Sequence, residues 1–202
     1  MLITRYAKII MSLVLAAFCL LVTFDNITDY GTNYLFVQHV MSMDTTYPGN
    51  ALMYRSITNP VLWRAAYAAI IVAEGITGIL YLAGAIRLFK ARNAPAARFN
   101  RAKTYVIAAS ALAFLVWFFG FMVVAGEWFA MWQSATWNGQ EAAFRFYVAV
   151  LAVLIFINQL DVDLPGTEPG LCTQGQPQQK EARGLKVVNR GAGRRSWHEL
   201  RP

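Results

Sequence analysis

The sequence predicts an all-α protein, a four-helix transmembrane bundle with an extracytoplasmic helical and aromatic cap. Three observations lead there. Hydrophobic residues fill 57% of the 202 positions and charged residues only 14%, against about 25% charged in typical soluble domains. Four stretches, about 8–24, 65–89, 104–125 and 142–158, are long and apolar enough to cross a hydrocarbon core, which at about 30 Å takes about 20 helical residues. The basic residues are sorted by segment. Of 18 lysines and arginines, 15 lie at the start of the first stretch, around the link between the second and third, or after residue 179; only Arg55, Arg64 and Arg145 lie elsewhere. By the positive-inside rule both termini are then cytoplasmic. The net charge of +7 is accounted for by topology, which argues against a nucleic-acid partner.

The first stretch follows Arg5 and Lys8, and "TFDNITDYG" after it offers no small-x-small cleavage site, so it is read as a retained span and not a signal peptide. The loop over 25–64 is long, since helix connections usually have about 2 to 8 residues. It should carry its own structure. In "NYLFVQHVMSMD", Asn33 reads as the N-cap of a helix that is apolar all round and packs over the mouth of the bundle. In "SITNPVLWRAAY", Asn59 reads as N-cap and Pro60 as the first helical residue. The second helix then starts outside the membrane, runs to about Arg92, and carries Trp63 and Arg64 into the cap.

Between the third and fourth stretches stands "GEWFAMWQSATWNGQ", residues 126–140, with three tryptophans and neither lysine nor arginine. Indole rings favour the membrane interface, where the apolar body is buried and the N–H stays wet. Trp128, Met131, Trp132 and Ala135 fall at helical spacing, which predicts a short interfacial helix. Trp128, Trp132 and Trp137 are the candidate docking residues there, either as a belt that anchors the bundle or as a surface for a lipid tail or partner helix. The membrane domain is thus read as 1–160. Residues 161–202, rich in Pro, Gly and Gln, read as a disordered basic cytoplasmic tail.

Three motifs in order, "NITDYGTNYLFVQHVMSMDTT", "RSITNPVLWRAAY" and "GEWFAMWQSATWNGQEAAFRF", resemble the bacterial small integral membrane proteins grouped as domain of unknown function 2165. The resemblance covers about residues 1–165. It implies a bacterial inner-membrane protein and brings no activity, cofactor or catalytic residue with it.

Chemistry is therefore argued from single residues. Glu74, in "YAAIIVAEGITGILYLAG", lies about nine residues from the outer end of its span, about 13 to 14 Å deep and close to the midplane. A carboxylate there is expected to be neutral or to face the bundle interior, as a structural hydrogen-bonding acid, a proton or ion site, or a contact to a partner subunit. Gly75 and Gly78 beside it admit a neighbouring helix. Glu127 and Arg145, each near the outer interface, are expected to form an ion pair; the alternative sends Arg145 inward to Glu74.

His39 and His198 are predicted on opposite faces of the membrane, and Cys19 and Cys172 support neither a disulfide nor a metal site. Asp25, Asp29, His39 and Asp44 share a loop at spacings that match no ligand pattern. No nucleotide-binding or nucleophile-elbow motif occurs. Neither cofactor nor metal is expected. The reading that follows is a non-catalytic membrane protein, an accessory or assembly subunit of a larger membrane complex, with the bilayer and subunits of that complex as partners. The alternative is a small transporter, channel or membrane enzyme working through Glu74.

Overall fold

The computed structural model of the protein describes residues 2–164; the predicted tail, beyond its first few residues, lies outside the described residues. Helix α1 spans Leu2–Thr28, α2 Tyr30–Ser42, α3 Pro60–Lys90, α4 Ala96–Ala102, α5 Thr104–Phe114 and α6 Gln140–Asn158. Among the described residues, four helical stretches are long and apolar enough to cross a membrane: α1, α3, the run from Ala96 to Trp128, and α6.

The bundle alternates in direction and closes on itself. α1 runs antiparallel to α3, with Leu20 against Gly78, Thr23 against Gly75 and Asn26 against Glu74. α3 runs antiparallel to α5, where Gly84 meets Val106, Tyr81 bonds Ser110, and the Arg87 guanidinium lies 4.0 Å from the Tyr105 ring centre. Tyr147 of α6 packs edge-on against Phe114, and Phe146 of α6 reaches Phe18 of α1 with ring centres 4.8 Å apart. The core between them holds Tyr81, Leu88, Phe99, Val106, Trp117 and Ile157, all buried. Ile3, Val14, Leu21, Ile79 and Ile155 point outward. In water that would be an exposed apolar surface; lipid tails solvate it.

α3 begins where its local chemistry says it should. The Asn59 side chain accepts a hydrogen bond of 2.9 Å from the Val61 N–H, and Pro60, which has no N–H to lose, occupies the first turn. α2 differs from expectation. It starts at Tyr30, with only Asp29 between it and α1, so Asn33 lies inside its first turns and donates to the Asp29 carbonyl instead of capping the helix. Met43, in the left-handed region at φ 56°, ends it.

The third span is not a plain α-helix. Beyond α5 the chain continues over Leu115–Trp128 as a π-helix, whose bonds run five residues back and end in the 3.1 Å bond from Phe129 N–H to the Val124 carbonyl. Such bonding usually occupies a single turn and often marks functional sites. A wider helix brings side chains to one face every four to five residues, and Val116, Gly120, Val124 and Phe129 do share a wall.

The interfacial helix expected over Trp128, Met131, Trp132 and Ala135 does not form. Ala130 sits in the left-handed region at φ 49°, which turns the chain after the π-helix, and only a short 3-10 turn, Met131–Gln133, follows. A left-handed alanine costs about 1 to 2 kcal/mol. Burial of Ala130 beside Phe129, Met131, Val40 and Met41 holds it there. α2 and the loop after it cover this end of the bundle, tied down by Thr45 to Ser134 at 2.8 Å, Ile57 N–H to the Met41 carbonyl at 2.8 Å, and Trp63 Nε1 to the Ile57 carbonyl at 2.6 Å.

Candidate functional site

Three side chains from two helices build the polar centre of the covered half. Tyr67 and Glu74 stand seven residues apart on α3, two turns, and so share a face. Asn26 faces them from the last turns of α1. Its amide Nδ2 donates to Glu74 Oε2 at 2.7 Å, while the Tyr67 hydroxyl donates to the Asn26 backbone carbonyl at 2.8 Å and to Asn26 Oδ1 at 3.2 Å. Glu74 is 2% exposed. Among the described residues its second oxygen, Oε1, has no protein donor, and the side chain lines a cavity of about 270 Å³ together with Asp25, Asn26, Asn33 and Tyr67. Asp25 and Glu74 are the ionisable acids of that wall, and no lysine or arginine lines it.

A second cavity of about 340 Å³ adjoins the first. Phe36, Val37, Ile70 and Phe121 line both. Its wall is apolar throughout, built from α2, α3 and the π-helix.

At the opposite end of the bundle lies a buried charge cluster. Lys8 from α1 and Lys103, between α4 and α5, both donate to Asp161 Oδ2, at 2.7 and 2.6 Å, and both donate to the Gln159 carbonyl at the end of α6. Asn100 exchanges two 3.0 Å bonds with the Asp161 backbone. Arg5 donates to the carbonyls of Arg92, Ala94 and Val162 and lies 4.7 Å over the Phe99 ring. All three cations are buried. Burial alone would raise the Asp161 carboxyl, but bonds and charge from Lys103 and Lys8 outweigh it and hold the group below its ordinary value of 3.8. The cluster ties the start of the first span to the end of the fourth.

Of the residues that stand out in the sequence, Glu74 faces the interior, and its partner is Asn26, not Arg145. The ion pair between Glu127 and Arg145 is not formed: Arg145 binds Glu141, one turn earlier on α6, where both groups are exposed and the helix itself supplies the alignment. The Glu127 carbonyl instead faces Arg55, whose guanidinium lies 4.9 Å over the Trp128 ring. Trp128 and Trp132 are 52% and 48% exposed. Trp137 is turned in, stacked on His39 with ring centres 4.6 Å apart, and His39 also bonds Asp44.

Asn26 went unrecognised in the sequence because its role depends on the register of α1 against α3. The buried hydroxyls between the two polar clusters are committed locally. Ser12, Thr77 and Ser110 each donate to the carbonyl four residues back, and Tyr81 bonds Ser110 at 2.9 Å.

The family model for predicted small integral membrane proteins (DUF2165) matches residues 4–160. No curated protein and no solved structure matches the chain.

Proposed function

The chain belongs to the family of predicted small integral membrane proteins (DUF2165), and from that premise we propose that it is a non-catalytic accessory or assembly subunit of a larger complex in the bacterial inner membrane, with both termini cytoplasmic. The observation that carries this reading is the pair Trp128 and Trp132, two large rings held half-exposed at the covered end. Indoles in such a position are the side chains most often found at the energetic centre of protein interfaces. The bonding of Ser12, Thr77, Tyr81 and Ser110 to near neighbours argues in the same direction, since hydroxyls committed to helix carbonyls make a packed core and no relay from Glu74 to the other face.

A photo-crosslinking amino acid placed at Trp128 or Trp132 in native membranes should capture one protein in stoichiometric amount, while the same group at Ile155, which is exposed on α6, should capture only lipid. Equal capture at all three positions would remove the basis for the proposal. Orientation is checked separately, after replacement of Cys19 and Cys172. Single cysteines at the exposed positions Tyr54 and Asn138 should react with an impermeant reagent in intact cells, and one at Asn93 should not. The reverse pattern would reject the topology.

The second reading, an ion or proton site, is favoured by the unpartnered oxygen of Glu74. Two substitutions separate it from the first. Glu74→Gln retains two hydrogen-bonding ends and should keep the fold and partner capture, whereas Glu74→Leu should lose about 0.6 to 2 kcal/mol, as interhelical hydrogen bonds in membranes do. A Glu74→Gln variant that is folded and captures its partner, yet fails to complement a deletion strain, would favour the titrating role.

A further inference from the structure

The two adjoining cavities differ in chemistry in a way that suits one kind of ligand. The smaller is lined by Glu74, 2% exposed, whose Oε1 has no protein donor among the described residues. A second carboxylate, Asp25, stands on the same wall without any lysine or arginine, so an anionic headgroup would be repelled. The larger cavity offers only apolar surface, and it reaches the lipid-facing side of the bundle at Phe119 and Ala69, both exposed and both in its wall. Its volume falls in the usual range for small-molecule sites, about 300 to 1,000 Å³. The π-helix forms one wall of it. A helix bonded five residues back swings Gly120, Phe121, Val124 and Ala125 onto this wall.

We propose that the two cavities form a single site for a one-chain amphiphile whose head is a hydrogen-bond donor, an ammonium or a hydroxyl. The tail enters from the bilayer past Phe119 and Ala69 and lies along the π-helix. Phe36 and Phe121, stacked with ring centres 6.0 Å apart where the two cavities meet, part to admit the head, which donates to Glu74 Oε1 and completes the bonding that Asn26 begins at Oε2. This site is independent of the docking surface at Trp128 and Trp132, and failure of either leaves the other standing.

The test uses the full chain in nanodiscs with three diazirine-bearing probes of equal chain length, a primary amine, an alcohol and a carboxylic acid, and mass spectrometry to locate the labelled residues. The amine, the alcohol or both should label the 116–125 segment, and the acid should label it about tenfold less, the factor that one good charge-assisted bond supplies. Strong labelling by the amine alone identifies an ammonium head; equal labelling by amine and alcohol identifies the donor hydrogen as the recognised feature. Glu74→Leu should reduce labelling about tenfold, again by loss of one such bond. Ala69→Trp, a change at an exposed position, should block the mouth and abolish labelling with the melting temperature unchanged. Labelling by the acid as strong as by the others, labelling spread over outward residues such as Ile155, or labelling indifferent to both substitutions in folded protein would overturn the proposal.

Discussion

Asp161→Ala should destabilise the protein by about 3 to 5 kcal/mol, because it leaves two buried ammonium groups without a counter-charge. Lys8 and Lys103 are 1% and 3% exposed and meet the same carboxylate oxygen. The Gln159 carbonyl that both also touch carries only a partial charge. Unfolding titration in mixed detergent measures the loss. If it reflects stranded charge, the combined change Lys8→Met, Lys103→Met and Asp161→Leu should recover most of it, since apolar residues of similar volume often replace buried ion pairs without cost. A triple variant as unstable as the single one would show that packing, not charge, is responsible. The pH dependence follows with a definite sign. The folded carboxyl is held below its ordinary value of 3.8, so the stability it contributes is complete above that value and is lost as the pH falls through the lower, folded one.

Gly84→Leu should cost about 3 kcal/mol, the upper part of the usual range for overpacking. A β-carbon at Gly84 would lie 2.6 Å from Val106 Cγ2 and 3.0 Å from the Val106 backbone nitrogen. Rotation of Val106 relieves the first contact but not the second, so α3 and α5 must separate. Gly31→Ala is the matched control. Nothing lies within 4 Å of the position its β-carbon would take, and a glycine replaced by alanine in a helix gains about 0.5 to 1 kcal/mol. The same unfolding titration should move the two variants in opposite directions; a stable Gly84→Leu protein would mean that α3 and α5 can part there without loss.

Where an element depended on neighbours in the chain, it was legible. Asn59 followed by Pro60 marks a helix start whatever lies nearby, and an acid in the middle of an apolar span can be placed inside the bundle by desolvation alone. Features that depend on register were not. Asn26 meets Glu74 only because α1 and α3 pack with Leu20 over Gly78, and no local signal marks that alignment. Over "LVWFFGFMVVAGEW" the residues are apolar on every side, so no hydrophobic period distinguishes a π-helix from an α-helix. The left-handed turn at Ala130 runs against alanine's own preference and comes from tertiary packing. Arg145 misled for the opposite reason: Glu141, four residues away on the same helix, was the nearer and simpler partner. Arg5, Lys8 and Lys103 lie at the ends of apolar stretches, where the charge pattern alone does not show that their side chains are buried.

That burial bears on how the chain is made. Lys8 emerges early in synthesis and Asp161 only after the fourth span, so the cluster that locks the bundle cannot close until insertion is finished. Until then Lys8 and Lys103 lack the carboxylate that both bond in the folded chain. The same two lysines then mark the moment at which the end of α6 reaches its place. A chain truncated before Asp161 would keep both lysines without their counter-charge and leave the two ends of the bundle unlocked.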